Sequence, residues 1–289
     1  MATAFLGPRG TFSEEAALLH TAGQGELLAF GSIPALTAAV ETGLATEALL
    51  PIENSIEGAV FATLDLLIHE TPLKIAAEVA LPVRHFLVTA PGATLADIRI
   101  VASHPQALGQ CRRFLERCLP GAEQIAALST AAAVQDAASG GDSSRAGIGT
   151  ARAAELYGGA VLAHDIQDVR ANFTRFVVLA QQDAAPTGAD KTSVGFTVKD
   201  NVPGALYAAL GAFAAEGLQL TKVESRPTKG WLGEYVFLAD LEGHRTDPPV
   251  VRALERVGEL CAVLKVFGSY PRFPMETLRN QVDTPAFPS

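Results

Sequence analysis

Long hydrophobic runs are missing from this chain. None of its 289 residues belongs to an apolar stretch approaching the roughly 18–20 residues of a membrane span, which excludes a helical membrane protein. The first residues, Met1 to Gly7, lack a basic segment and a long apolar one, so no secretory signal is expected and the protein is read as cytoplasmic. Basic residues are scarce as well. Lys and Arg number 22 against 31 Asp and Glu, the net charge is −9 and no Lys/Arg block occurs, which argues against nucleic-acid binding. An anionic ligand must then be captured by a few placed groups against an unfavourable overall field. Cys111, Cys118 and Cys261 are odd in number and lack metal-ligand spacing. The first two stand two helical turns apart on one face, and all three are read as reduced, packed thiols. The 6 histidines form no HxxxH or HxH pair, so no metal site is expected.

What is present is apolar material enough for a real core. Hydrophobic residues make up 48% of the chain and charged ones 18%, a globular balance, and the length suits two or three compact units. A short apolar strand over 3–7 ends in Gly7-Pro8-Arg9-Gly10. A helix then opens at Thr11, where Thr11 and Glu14 fit a capping box that leaves amide donors free at the helix start. A strand at 27–30, a helix over 32–41 and a strand at 48–52 continue a β-α-β-α-β rhythm, which implies a mostly parallel sheet with helices on both faces. A helix over 58–69 and strands at 74–81 and 86–89 lead to a second β/α set. Its strands are expected near 98–102, 124–127, 146–149 and 160–163, and its helices over 105–118, 129–138 and 150–157. The segment 173–180 reads as a strand returning to the first sheet, so two α/β lobes enclose a cleft of the kind that holds ligands. After a linker over 181–189 the order becomes β-α-β-β-α-β, which is ferredoxin-like, and the residues after Pro271 read as a loose tail.

Asn172-Phe173-Thr174-Arg175-Phe176 sets a hydroxyl beside a guanidinium in an apolar strand. Alternation forbids both from pointing into the core, and an arginine flanked by Phe173, Phe176 and a Val-Val-Leu run invites a carboxylate partner. The expectation is that Arg175 reaches into the cleft to hold an anion. The competing reading is a strand end whose arginine forms a surface ion pair. Glu53, Asn54, Ser55 and Glu57 follow a buried strand at its carboxyl end and precede a helix start, where donors and acceptors face a crevice or simply cap a turn. Ser103-His104-Pro105-Gln106 repeats the arrangement, with Ser103 read as a helix cap and Pro105 as a first-turn proline. Gln106 and Gln110 are then stacked one helical turn apart.

Taken in order, Gly7-Pro8-Arg9-Gly10-Thr11-Phe12-Ser13, Pro51-Ile52-Glu53-Asn54-Ser55, Ser103-His104-Pro105-Gln106 with Gln110, and Asn172-Phe173-Thr174-Arg175-Phe176 resemble the prephenate dehydratase family. The third unit resembles an ACT domain, with Gly204-Ala205-Leu206 opening its first helix and Glu224-Ser225-Arg226-Pro227 ending its second strand. The fold implied is α/β: a two-lobed dehydratase domain, periplasmic-binding-protein-like with a cleft between lobes, followed by a βαββαβ ACT domain. The expected boundaries are 1–182 for the catalytic domain (lobe 1 about 1–80 and 172–182, lobe 2 about 81–171), 190–272 for the regulatory domain and 273–289 for the tail. No room remains for a helical mutase domain, so the chain is read as monofunctional.

The resemblance implies conversion of prephenate to phenylpyruvate, water and carbon dioxide in phenylalanine biosynthesis, with no cofactor because aromatisation drives the reaction. It also implies a dimer or tetramer regulated by phenylalanine. In the catalytic group it places Thr174 as proton donor, Arg175 as carboxylate grip and Phe176. Asn54, Ser55, Ser103, Gln106, Gln110 and Thr11 become substrate-binding groups, and Gly204, Ala205, Leu206, Glu224, Ser225, Arg226 and Pro227 the phenylalanine site. An aliphatic alcohol is a weak acid, so Thr174 either donates directly or hydrogen-bonds the leaving oxygen while Glu57, His104 or water relays the proton. Some relatives carry a carboxylate just before Ser129-Thr130; here Leu128 stands there, so no catalytic acid comes from that position. Two alternatives remain open: the same reaction on arogenate, and a non-catalytic small-molecule-binding regulator. In the regulatory unit, Glu224 and Arg226 have a structural alternative as an ion pair with each other.

Overall fold

The computed structural model describes residues 1–228, 230, 234–274 and 276–279. Its contacts divide the chain into two compact units, one built from residues 1–60, 79–176 and 274–289, the other from 61–78 and 177–273. The strands are β1 (Ala2–Leu6), β2 (Glu26–Phe30), β3 (Glu47–Asn54), β4 (Gly58–Ala59), β5 (Lys74–Pro82), β6 (Phe86–Thr89), β7 (Ile100–Ser103) and β8 (Glu123–Ala126). They continue as β9 (Arg145–Gly149), β10 (Ala160–Ala163), β11 (Phe173–Ala180), β12 (Asp190–Val198), β13 (Leu220–Pro227), β14 (Tyr235–Glu242) and β15 (Cys261–Pro271). The helices are α1 (Phe12–His20), α2 (Ile33–Glu41), α3 (Phe61–His69), α4 (Pro105–Gln110) and α5 (Arg112–Cys118). After these come α6 (Thr130–Ser139), α7 (Ala151–Tyr157), α8 (Ala205–Ala215), α9 (Pro248–Leu260) and the short α10 (Glu276–Arg279).

The first sheet runs β2-β1-β3-β11-β5, with β4 added at β3, and its β1 pairs in parallel with both β2 and β3. β11 returns to the first sheet, as expected, and the structure inserts it between β3 and β5. The second sheet, β10-β6-β9-β7-β8, is mixed: β7 lies parallel to β8 and β9, while β6 is antiparallel to β9 and β10. Burial follows the strands, with Ala4, Phe5, Leu49 and Leu50 sealed in one lobe and Val101, Ala146 and Ile148 in the other.

Three expected elements come out differently, each for a local reason. No helix begins at Gly58. Instead Asn54 and Glu53 pair with Gly58 and Ala59 in a hairpin, and Gly58 takes the left-handed φ of +85° that closes it. The expected helix over 105–118 is broken at Cys111. The Asp168 amide takes the Gln110 carbonyl at 2.7 Å and the Asp168 carboxylate accepts from the Arg113 amide at 3.1 Å, so an outside residue sits in the helical ladder. The break rotates Cys118 off the face of Cys111. Cys111 and Cys261 are buried, as expected, but Cys118 is exposed. Burial pushes the Cys111 thiol up to about 12, which keeps it protonated and inert. The tail is not wholly loose: α10 forms in it and Leu278 is buried, while residues 275 and 280–289 lie outside the described residues.

The second unit contains the expected β-α-β-β-α-β order as an antiparallel sheet β13-β14-β12-β15. α9 starts behind Asp247 with proline in its first turn and buries Val250, Ala253 and Val257, one stripe of its surface, against a core with Phe196, Phe213 and Leu241. α3 belongs to this unit. Lys265 Nζ reaches the carbonyls of Leu67 at 2.7 Å and Thr71 at 3.0 Å, closing the α3 C-terminus with a cation where the helix dipole favours one.

In the second sheet, glycines let α6 approach β9 closely. A Cβ at Gly147 would stand 2.5 Å from the Ala133 carbonyl oxygen, and one at Gly149 would stand 3.1 Å from that of Thr130. Gly147→Ala is therefore expected to destabilise the fold by about 1–3 kcal/mol in chemical denaturation, because backbone must move to admit the methyl group. Gly211→Ala, in open space on α8, should cost nothing or stabilise by up to about 1 kcal/mol.

Candidate active site

The hairpin after β3 builds the first wall of the site. Asn54 Oδ1 accepts from the amides of Ile56 and Glu57, both at 3.0 Å, so the side chain wraps its own turn. Asn54 Nδ2 then faces β11, donating to Asn172 Oδ1 at 2.7 Å and lying 3.0 Å from Thr174 Oγ1 and 3.2 Å from the Phe173 carbonyl. Ser55 pins the same junction: its Oγ accepts from the Phe173 amide at 2.9 Å and donates to the Ala171 carbonyl at 3.3 Å.

The second wall comes from the other lobe. α4 carries Gln106 and Gln110, and Gln110 Oε1 receives Asn172 Nδ2 at 3.3 Å and faces His85 Nε2 at 3.0 Å. Gln110 Nε2 lies 3.3 Å from Glu57 Oε1 on the hairpin. His85 is buried, with its ring edge-on to Phe12 at 5.6 Å, and its backbone amide donates to Gln167 Oε1 at 2.9 Å. Burial holds the imidazole below its ordinary pKa, against the Gln110 hydrogen bond, which works to raise it.

Two adjoining cavities share Asn54, Gln106 and Gln110. The smaller, about 290 Å³, contains Thr174, His85, Thr11, His104 and Leu128, and is bordered by the starts of α1 (Thr11, Phe12, Ser13) and α6 (Ser129, Thr130). The larger, about 730 Å³, contains Glu57, Arg113, Gln167, Asp168 and Asn172. Leu128, 98% exposed, stands at the mouth of the smaller one. Donor-rich helix starts, neutral amides and several hydroxyls make the smaller cavity a surface suited to an anion that must be oriented without being neutralised. Among the described residues, no three His, Cys, Asp or Glu side chains gather as a metal site, and no helix is long and apolar enough to cross a membrane.

The expected site residues separate under this geometry. Asn54, Gln106, Gln110, Thr174 and Thr11 line the cavities. The Thr11 hydroxyl lies 3.0 Å from the Pro8 carbonyl and accepts from the Glu14 amide, so it is engaged by its own turn; the Glu14 carboxylate of the capping box turns to the Gly10 amide. Four other expectations need correcting. Arg175 faces away from the cavities, because alternation that turns Thr174 inward turns its neighbour out; its guanidinium lies 3.3 Å from Glu53 with 14% of the side chain exposed. Phe176 is sealed in the core. Ser103 is fully buried, donates to the Ile148 carbonyl at 2.6 Å and does not cap α4; His104 does, through Nδ1. In β13, Glu224 pairs with Lys222 at 3.2 Å, and Arg226 pairs with Asp65 at 2.9 Å and lies 4.0 Å over the Phe61 ring, so the two do not pair with each other. Ser225 and Pro227, on the opposite face, are exposed, and Gly204 opens α8 with a left-handed φ of +89°.

Sequence reasoning passed over His85, Gln167, Arg113 and the role of Asn172. Only Asn172 left a local signal, since it shares the strand face of Thr174 two positions on. His85 yields a test. A group with a depressed folded pKa binds fewer protons than the unfolded chain below about pH 6.5, so its stability contribution is complete above that value and is lost as pH falls through the folded pKa. His85→Gln should flatten the acid limb of the urea midpoint against pH; an unchanged limb would assign that limb to other groups.

Comparison with known proteins bears on the same residues. The prephenate dehydratase family model matches residues 3–184, and the ACT domain model matches 192–259. The prephenate dehydratase of Mycolicibacterium vanbaalenii is 43% identical over 284 residues, covering 93% of this chain and 90% of that protein. Among solved structures, the prephenate dehydratase of Arthrobacter aurescens in complex with L-Phe superposes with a TM-score of 0.87 at 36% identity, over 94% of this chain and 90% of that one. GqqA, described as a novel type of quorum quenching acylase, superposes with a TM-score of 0.86 at 33% identity, over 96% of this chain and 100% of that one. With the family model matched over residues 3–184 and an ACT domain following in sequence, this chain belongs to the prephenate dehydratase family.

Proposed function

We propose that the chain is a prephenate dehydratase that forms phenylpyruvate for phenylalanine synthesis and is regulated by phenylalanine. The observation that carries the reading is Thr174 Oγ1 held 3.0 Å from Asn54 Nδ2 in the wall of a cavity edged by helix starts, within the stretch that matches the family. Prephenate carries a ring hydroxyl, a ring carboxylate and a side-chain carboxylate. The ring carboxylate leaves as carbon dioxide, its bonding electrons enter the ring, and the hydroxyl on the opposite carbon departs with one added proton as water. Thr174 gives that oxygen a hydrogen bond as it gains charge, and the Thr174 proton is replenished from solvent. The carboxylate to be lost is best left weakly held, because stabilising it would stabilise the ground state.

The side-chain carboxylate needs a different anchor from Arg175. With the ring hydroxyl at Thr174, both carboxylates lie on the far side of the ring, toward the larger cavity. Among the described residues lining either cavity, Arg113 is the only arginine or lysine. Its backbone amide is held by Asp168, so its side chain is dispensable to the helix start. Arg113→Gln should raise KM for prephenate about 10- to 100-fold with kcat little changed, as expected for removal of a charged hydrogen bond made equally to substrate and transition state. An unchanged KM would move the anchor to the helix starts.

Phenylalanine is assigned to the ACT domain, at the start of α8 (Gly204, Ala205, Leu206) and along Glu224, Ser225, Arg226 and Pro227. The L-Phe complex of the Arthrobacter relative and the ACT match support this. Exposed apolar side chains on this unit, Tyr207, Val202 and Val223, suit pairing with a second copy, so a cytoplasmic homodimer or homotetramer is proposed, with 1–182 catalytic and 190–272 regulatory. Amide hydrolysis would need a hydroxyl hydrogen-bonded to a base, whereas Thr174 faces the Asn54 amide, which has no basic lone pair.

Purified protein is expected to form phenylpyruvate from prephenate, with a rate that responds to added phenylalanine. Thr174→Ala should reduce kcat by about 10²–10³ while the fold persists. Turnover of arogenate and not prephenate would transfer the reading to arogenate, and acylase activity with neither would end it.

A further inference from the structure

The directions of the hydrogen bonds in the cleft can be assigned from one end. Backbone N–H groups only donate, so the Asn54 atom facing the Ile56 and Glu57 amides is its oxygen, and the atom facing β11 is its nitrogen. An amide nitrogen offers no lone pair, so Asn172 Oδ1, Thr174 Oγ1 and the Phe173 carbonyl, which share its two hydrogens, can only accept from it. Asn172 Nδ2 must then face Gln110 Oε1, and because that oxygen accepts, the His85 nitrogen beside it carries a hydrogen. His85 Nδ1 is buried with no hydrogen-bond partner among the described residues. Gln110 is left with its Nε2 hydrogens toward Glu57 and the cavity. Every side chain along this line has one permitted sense.

We infer that Asn172 and His85 are positioning residues for the dehydration: through Gln110 and Asn54 they hold the hydrogen-bond sense that makes Thr174 an acceptor toward Asn54 of β3 and leaves its O–H directed into the cavity. The inference rests on the dehydratase reading and gives it a direction. Thr174 cannot donate to Asn54, so its proton is available to the departing hydroxyl. Gln110 presents donors to the cleft, and a reversal of its amide would present an acceptor to an anionic substrate instead. Both residues border the cavities but are buried, and their side chains are engaged by Asn54 and Gln110, so each acts through the amide it holds. Glu57, beside Gln110, and His85 itself are the ionisable groups adjoining the line, with Arg113 and Asp168 across the larger cavity.

Asn172→Asp tests this, since it preserves shape and reverses one bond. The ionised carboxylate still accepts from Asn54 but cannot donate to Gln110, whose amide is then drawn round. At pH 8, kcat should fall about 10²-fold, with a smaller change in KM. Burial raises a carboxyl pKa, and the protonated acid regains a donor. Activity should therefore recover as pH is lowered, on a limb absent from both the unsubstituted chain and Asn172→Ala. A kcat and pH profile like those of the unsubstituted chain would overturn the inference, as would a loss equal to that of Asn172→Ala at every pH. Should the aspartate variant not fold, the unsubstituted chain decides: nitrogen-15 shifts of His85 are expected to show the hydrogen on Nε2, and a hydrogen on Nδ1 alone would overturn it. If prephenate is not a substrate, the shifts still test the hydrogen-bond sense, so the two readings fail separately.

Discussion

The candidate site depends on the Asn54 oxygen receiving two backbone amides from its own turn. That closure makes a three-residue loop between paired strands and requires the left-handed backbone at Gly58. It brings Glu57 within reach of Gln110 across the cleft. It also leaves the Asn54 nitrogen, and only the nitrogen, for Asn172 and Thr174. A side chain with two donors could rotate freely and fix nothing; an amide, with one end of each kind, transmits direction from a turn to a hydroxyl.

Among the described residues, the smaller cavity is lined by no Asp, Glu, Lys or Arg, although the proposed substrate carries two negative charges and the chain itself is acidic. For a reaction that expels a carboxylate as carbon dioxide, this has a physical basis. A strong ion pair to that group would be lost in the transition state and would deepen the ground state. Helix starts and amides orient with less neutralisation, and a guanidinium belongs where charge is unchanged through the reaction. Arg113, which lines the larger cavity, is the residue proposed for that position, whereas Arg175 joins β11 to β3 through Glu53.

The ferredoxin-like unit carries its own tie to α3. Arg226, in the segment assigned to phenylalanine, holds Asp65 and covers Phe61, while Lys265 closes the same helix at its other end. α3 follows directly in sequence on the hairpin of Asn54 and Glu57. The segment read from sequence as a ligand site has a structural function in this unit, and its arginine is engaged on the sheet face opposite Ser225.

Alternation of apolar residues sufficed for β11 and the stripe of α9, because periodicities of two and of about three and a half are properties of the local chain. The motif order also identified the family, and Asn54, Gln106, Gln110 and Thr174 were named without coordinates. Local pattern does not contain the partner that interrupts a helix, and Asp168 entering at Cys111 moved Cys118 to the surface. Nor does it say which member of an adjacent pair faces the cleft: the sequence required Thr174 and Arg175 to part, and Asn54 decided which turned inward. His85 joins the site from the connection between β5 and β6, a segment with no motif of its own, through a bond to Gln110. The sequence by itself determined most of the elements, the family and the chemical types present, all of which depend on neighbours along the chain. Tertiary structure decided their facing, burial and hydrogen-bond sense, because those depend on groups that only folding brings within about 3 Å.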